Sequence, residues 1–111
     1  MNPRRTVPLN PQSIDAIGKR LRMLRQVLGH TQEEMAISIG SGSGAQMWAN
    51  YEAGYRRIGT DHALALCQRF GLTMDWVYRG NPGMCDPALM ARIRSQEISE
   101  ARGSKEEDQA C

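Results

Sequence analysis

The sequence predicts an all-α bundle of five short helices with one more helix appended near the C-terminal side. Three observations carry this. Apolar residues recur at helical spacing, a glycine falls just past almost every apolar run, and aromatics are only 5% of a chain that is 41% hydrophobic. A core of Leu, Ile, Met and Ala with few aromatics suits packed helices better than sheets. The 111 residues are enough for one compact domain with short tails.

Residues 1–12 contain Pro3, Pro8 and Pro11, which oppose helix, so they read as a flexible basic arm. Ser13 opens a strong helical signal. Ile14, Ile17, Leu21, Leu24 and Leu28 form one apolar stripe, which Lys19, Arg20, Arg22 and Arg25 mostly avoid, and Gly29 stops the helix. Thr31-Gln32-Glu33-Glu34 is a capping box, because Thr31 can accept the Glu34 N–H while Glu34 reaches back to the Thr31 N–H. It starts a second helix at Gln32 whose inner side is Met35, Ala36 and Ile39, and Gly40 ends it.

Ser41-Gly42-Ser43-Gly44 reads as a loose turn. A third helix is expected from Ala45 to Ala53, with Trp48 and Tyr51 inward and Gly54 as its stop. Arg56 and Arg57 lie in the loop that follows. Gly59 or Thr60 caps a fourth helix with Ala63, Leu64, Cys67 and Phe70 inward, ending at Gly71. Thr73 caps a fifth, Met74 to Arg79, with Trp76 and Val77 packing back. Asp86-Pro87 is an N-cap followed by proline at the first helical position, opening a sixth helix to about Arg102 with Leu89, Met90, Ile93 and Ile98 on one side. The expected organisation is an arm (1–12), a helical domain (13–80), an extension helix (81–102) and a disordered polar tail (103–111).

Net charge is only +2, but it is unevenly spread. Residues 1–30 hold six basic side chains against Asp15 alone, so the front third is the natural candidate to face phosphates; the alternative is a solvated helix face. Cys67, Cys85 and Cys111 form no metal-ligand spacing and read as free thiols. His30 and His62 have no nucleophile motif around them, and Ser41 to Gly44 is not followed by the residues of a phosphate-binding loop. The expectation is no enzyme, no metal and no cofactor. No stretch approaches the ~18 apolar residues that span a bilayer. The first residues lack the apolar core of a signal peptide, so a cytoplasmic protein is expected.

A two-turn helix is poorly stable alone. Setting two of them at an angle makes sense when the second is displayed, and the DNA major groove, about 12 Å wide, admits one helix. Here the residues resemble a known family. Residues 17–80 are similar to the lambda-repressor and Cro-like (XRE family) helix-turn-helix domain. The resemblance rests on Arg22 to Arg25, Thr31-Gln32-Glu33-Glu34-Met35-Ala36, Gly40, Tyr51-Glu52-Ala53-Gly54, Arg56-Arg57, the Leu64-to-Gly71 helix, and Met74-Asp75-Trp76-Val77-Tyr78-Arg79-Gly80. It implies a five-helix bundle with helix 3 in the major groove, and binding to operators as a homodimer. It implies a bacterial or phage-encoded transcriptional regulator, in the sense of a repressor or autoregulator.

One departure is informative. Counting from Gln32, the family places a buried aliphatic residue fifteenth, where this chain has Gln46; Trp48, two places later, fits that role. A two-residue insertion in the turn at residues 41–44 restores the alignment. The exposed positions of helix 3 are then Ala45, Gln46, Met47 and Asn50. Gln46 and Asn50 can each make two hydrogen bonds to an adenine edge, and Met47 can touch a thymine methyl; the alternative is that both amides are merely solvated. Helix 3 has no Arg or Lys. Phosphate contacts are therefore expected from Gln32 beside the N-terminus of helix 2, from Ser41 and Ser43, from Arg56 and Arg57, and from Lys19 and Arg22. Arg4 and Arg5 on the arm suit a minor groove or serve solubility. The competing class is an antitoxin or antiactivator on the same fold, gripping a partner protein or a second copy through residues 86–102, with Leu89, Met90 and Ile93 as contacts.

Overall fold

The computed structural model describes residues 10–40, 42 and 44–110, with side chains through residue 103. Arg4, Arg5, Ser41, Ser43 and Cys111 lie outside the described residues. The chain folds into six helices: α1 (Ile14–Leu28), α2 (Gln32–Ser38), α3 (Gly44–Ala53), α4 (Thr60–Phe70), α5 (Met74–Arg79) and α6 (Pro87–Ala110). No strand occurs among the described residues, so the all-α expectation holds.

Local signals account for most of the boundaries. Ser13 Oγ accepts the Ala16 N–H at 3.1 Å and starts α1. Both arms of the capping box at α2 are formed, with Glu34 N–H to Thr31 Oγ1 at 3.0 Å and Thr31 N–H to Glu34 Oε1 at 2.8 Å. Thr73 caps α5 through the Trp76 N–H, and Asp86 Oδ1 accepts the Ala88 N–H at the start of α6. Where the sequence reading ended the last helix near Arg102, α6 continues to Ala110. Gly103 alone is a weak stop when helix-forming Lys105, Glu106 and Glu107 follow it.

The core is one cluster built around α1, whose Ile17, Leu21, Met23 and Leu24 are all buried. Met35, Ala36 and Ile39 of α2, Trp48 and Tyr51 of α3, and Trp76 and Val77 of α5 complete its centre. In α4 the buried residues are Ala63 and Leu66, while Leu64 is 45% exposed. This corrects the expected inner face. Ala63, Leu66, Cys67 and Phe70 fall within about 100° of one another on the helical wheel, and Leu64 lies off the edge of that arc. Cys67 and Cys85 are free thiols, and burial pushes the Cys67 thiol pKa up.

α1 separates two sides of the molecule, with α3 packed on one and α5 and α6 on the other. On the α3 side the close approach is made by Gly18. A Cβ there would lie 2.5 Å from the Tyr51 carbonyl oxygen and 2.6 Å from that of Glu52. On the other side Arg20 donates to Val77 O at 2.8 Å and to Pro11 O at 2.9 Å, fastening the segment before α1 to the end of α5. Desolvation lowers the Arg20 pKa, opposed by the nearby Glu97. Leu89 and Ile93 anchor α6 on the core, and Arg92 donates to Val27 O.

Gly18→Ala forces α3 away from α1 because the obstructing atoms are backbone. It is expected to lower stability by about 1–3 kcal/mol, seen as a lower urea midpoint at unchanged m-value. The capping box at α2 gives a pH-dependent contribution. Hydrogen bonding from the Thr31 backbone lowers the folded Glu34 pKa, so the stabilisation is present above the carboxylate's ordinary value. It is lost as pH falls through the depressed one. Acid titration of the unfolding midpoint should show this component in the parent chain and not in Glu34→Gln.

Candidate nucleic-acid interface

The inner side of α3 fixes where its outer side points. Trp48 is fully buried and Tyr51 nearly so, one turn apart. On the other side of Trp48 from Tyr51, one turn on in the wheel, lies Glu52, whose side chain is only 6% exposed. A carboxylate so placed must be paired. Arg25 of α1 meets it with two bonds, Nε to Oε2 at 2.6 Å and Nη2 to Oε1 at 3.2 Å, the fork geometry that gives strength and direction. Gln32 of α2 donates to Oε1 at 3.2 Å, and the Trp48 indole N–H donates to Oε2. Arg25 also donates to His30 O at 3.2 Å. α1, α2 and α3 thus converge on one carboxylate, and Arg25 ties the turn between α1 and α2 to the same pair. Tyr51 adds a fourth helix, its hydroxyl 2.7 Å from His62 Nδ1 on α4.

The outer side of α3 carries Gln46 and Asn50. Gln46 is exposed and Asn50 half-buried, and Gln46 Nε2–H donates to Asn50 Oδ1 at 3.0 Å across one turn. This bond uses one Gln46 N–H. It leaves the Gln46 carbonyl, its second N–H and both Asn50 amide donors to meet another edge. Ala45 and Met47 are half-buried, and Met47 packs against the core cluster. That corrects the expectation of Met47 as a fully displayed position. Met47 lies four residues before Tyr51 and so sits on the flank of the buried side.

Beyond α3, the N–H groups of Tyr55 and Arg56 both donate to Asn50 O, at 3.0 and 3.3 Å, which seats this loop under the outer face. Arg56 is exposed and Tyr55 is 78% exposed. Arg57 is also exposed but donates to Gln12 O at 2.9 Å, so it holds the segment leading into α1.

Other expected positions fall elsewhere. The Gln32 amide is turned to Glu52 rather than to a phosphate, because the buried carboxylate needs donors. Lys19 and Arg22 line the groove beside α6, and Arg22 lies 3.9 Å from Glu100. Lys19 lies about 100° round α1 from Gly18 and so turns from the α3 side, while Arg22, one turn on from Gly18, reaches across to α6 at Glu100. Leu89 and Ile93 are 6% and 5% exposed and Met90 is half-buried, so the first two pack mainly into the chain's own core. Sequence reasoning missed Glu52 and Tyr55. The available signal was an acid at i+4 from Trp48 and next to Tyr51, inside the apolar arc of α3.

No helix among the described residues is long and apolar enough to cross a membrane. No protein-family model matches the chain, and no solved structure matches it. The chain is similar to the HTH-type transcriptional regulator ImmR of Bacillus subtilis, 36% identical over 62 residues, which are 56% of this chain and 47% of that protein. The chain therefore spans about half the length of this relative.

Glu52→Ala would strand the Arg25 guanidinium, the Gln32 amide and the Trp48 indole together. Loss of one partner of a buried pair costs about 3–5 kcal/mol, and chemical denaturation should show a loss of that order. Arg25→Ala should do comparable damage, and the double variant should lose less than the sum.

Proposed function

We propose that this chain binds double-stranded DNA sequence-specifically through α2 and α3 and acts as a transcriptional regulator, repressing from operators near its own gene. The observation that carries the reading is the two-sided build of α3. Its back is anchored by Trp48, Tyr51 and Glu52, while Gln46 and Asn50, bonded to each other, occupy the front. Coupled side-chain amides suit an adenine edge, which offers one acceptor and one donor in the major groove. Arg56, whose backbone N–H donates to the Asn50 carbonyl beside the same face, is proposed to meet a phosphate. Ser41 and Ser43 of the turn, and Arg4 and Arg5 of the arm, are proposed as further DNA backbone and minor-groove contacts. Binding as a homodimer to a two-half-site operator in the cytoplasm completes the proposal. The relative's name as a transcriptional regulator supports it.

Base readers and phosphate contacts behave differently in solution, and this separates them. Gln46→Ala and Asn50→Ala should each cost about 1–3 kcal/mol on the selected site and relax specificity at one position. Arg56→Ala should weaken all sequences alike and flatten the salt slope by about one unit. The measurement is site selection from a randomised duplex pool, followed by titration at several stated salt concentrations. Equal binding to all duplexes by the parent chain, or wild-type specificity in both amide variants, would exclude this reading.

A further inference from the structure

The side of α1 turned away from α3 forms a groove with α6 and the α5–α6 connection, about 1100 Å³ in volume. Its floor is apolar, with half-buried Met90 lying over Met23, Trp76 and Ile93, which are core residues 4–5% exposed. Its lips are mostly basic, from Lys19, Arg22, Arg79 and Arg94, against Glu97 and Glu100. Arg22 approaches Glu100 at 3.9 Å, and Arg79 approaches Asp75 within its own helix at 3.5 Å; both pairs are solvated, so neither cation is strongly held. Lys19 and Arg94 are exposed and form no ion pair among the described residues.

The shape and chemistry select one kind of occupant. Two helical walls make a trough suited to a third helix, about 10–12 Å across with its side chains. Met90 at the floor can repack around an incoming apolar stripe, while the cationic lips favour carboxylates flanking that stripe. Met23 lies about 140° round α1 from Gly18, so an occupant here leaves the outer face of α3 clear.

We propose that the α1–α6 groove docks an acidic amphipathic helix from a partner protein. The inference stands apart from the DNA-binding reading, and its test needs no DNA to succeed.

The probe is a fluorescein-labelled peptide of about 18 residues, with Leu at i, i+3, i+4 and i+7 and Glu at most other positions. Anisotropy is read against the full chain at about 0.15 M salt. The expected result is saturable binding that weakens about tenfold or more in the Lys19→Glu/Arg94→Glu double variant. That variant alters exposed positions only, and its fold is checked by circular dichroism. A peptide of the same composition with scrambled order should bind at least tenfold more weakly. The proposal is overturned by equal binding of the scrambled peptide, or by no effect of the charge reversal. It is also overturned if duplex DNA without an operator displaces the peptide, which would make the groove a phosphate surface. Self-association of the parent chain that the double variant abolishes would assign the groove to a second copy and overturn it too.

Discussion

The buried Glu52 carboxylate is the constraint on which the arrangement of this bundle depends. An unpaired charge there is too costly to keep, and its donors arrive from α1, α2 and α3 itself. Packing of apolar faces tolerates sliding and rotation. A two-toothed bond to a planar guanidinium, with an indole and an amide on the remaining lone pairs, does not. A buried ion pair is weak evidence for net stability, but it does discriminate among packings of similar apolar area. Here it picks the packing that turns Gln46 and Asn50 outward.

This explains how a glycine-rich turn coexists with a defined α3. The segment from Gly40 to Gly44 has almost no side-chain bulk with which to dictate an angle. The angle is set from behind, by Trp48 sunk to zero exposure and by Glu52 bonded to α1 and α2. Gly18 makes the approach close enough for both, since any side chain there would meet the α3 backbone.

Local chemistry made much of this legible in the sequence. The helix starts at Ser13, Thr31 and Thr73 are written in single residues that satisfy nearby N–H groups, and the inward Trp48 and Tyr51 follow from spacing. Features depending on what a residue meets across the fold were not legible. Gln32 looks like a free amide until a buried acid claims it. Lys19 and Arg22 look like part of one basic front until α1 is seen to present α3 and α6 with different sides. Leu89 and Ile93 look like a sticky stripe until α6 lies down on α1. Glu52 reads as an ordinary surface acid because its partner Arg25 is far away in the chain.

The division of α1 also changes what the charge pattern means. The basic excess of the first thirty residues is the feature that most suggests a polyanion, yet its α1 members are spent or turned aside. Arg25 neutralises Glu52, Arg20 is committed to two carbonyls, and Lys19 and Arg22 face the groove. On the outer side of α3 the described cations are Arg56 and Arg57, the second already holding Gln12. Affinity for a duplex scales with phosphates neutralised, and specificity with base edges matched. On the DNA-binding reading proposed above, a face built from a coupled pair of amides with few cations would discriminate better than it grips. Such a face would gain most from a second half-site, which would double the weak electrostatic term and the base contacts together without adding a charge to α3.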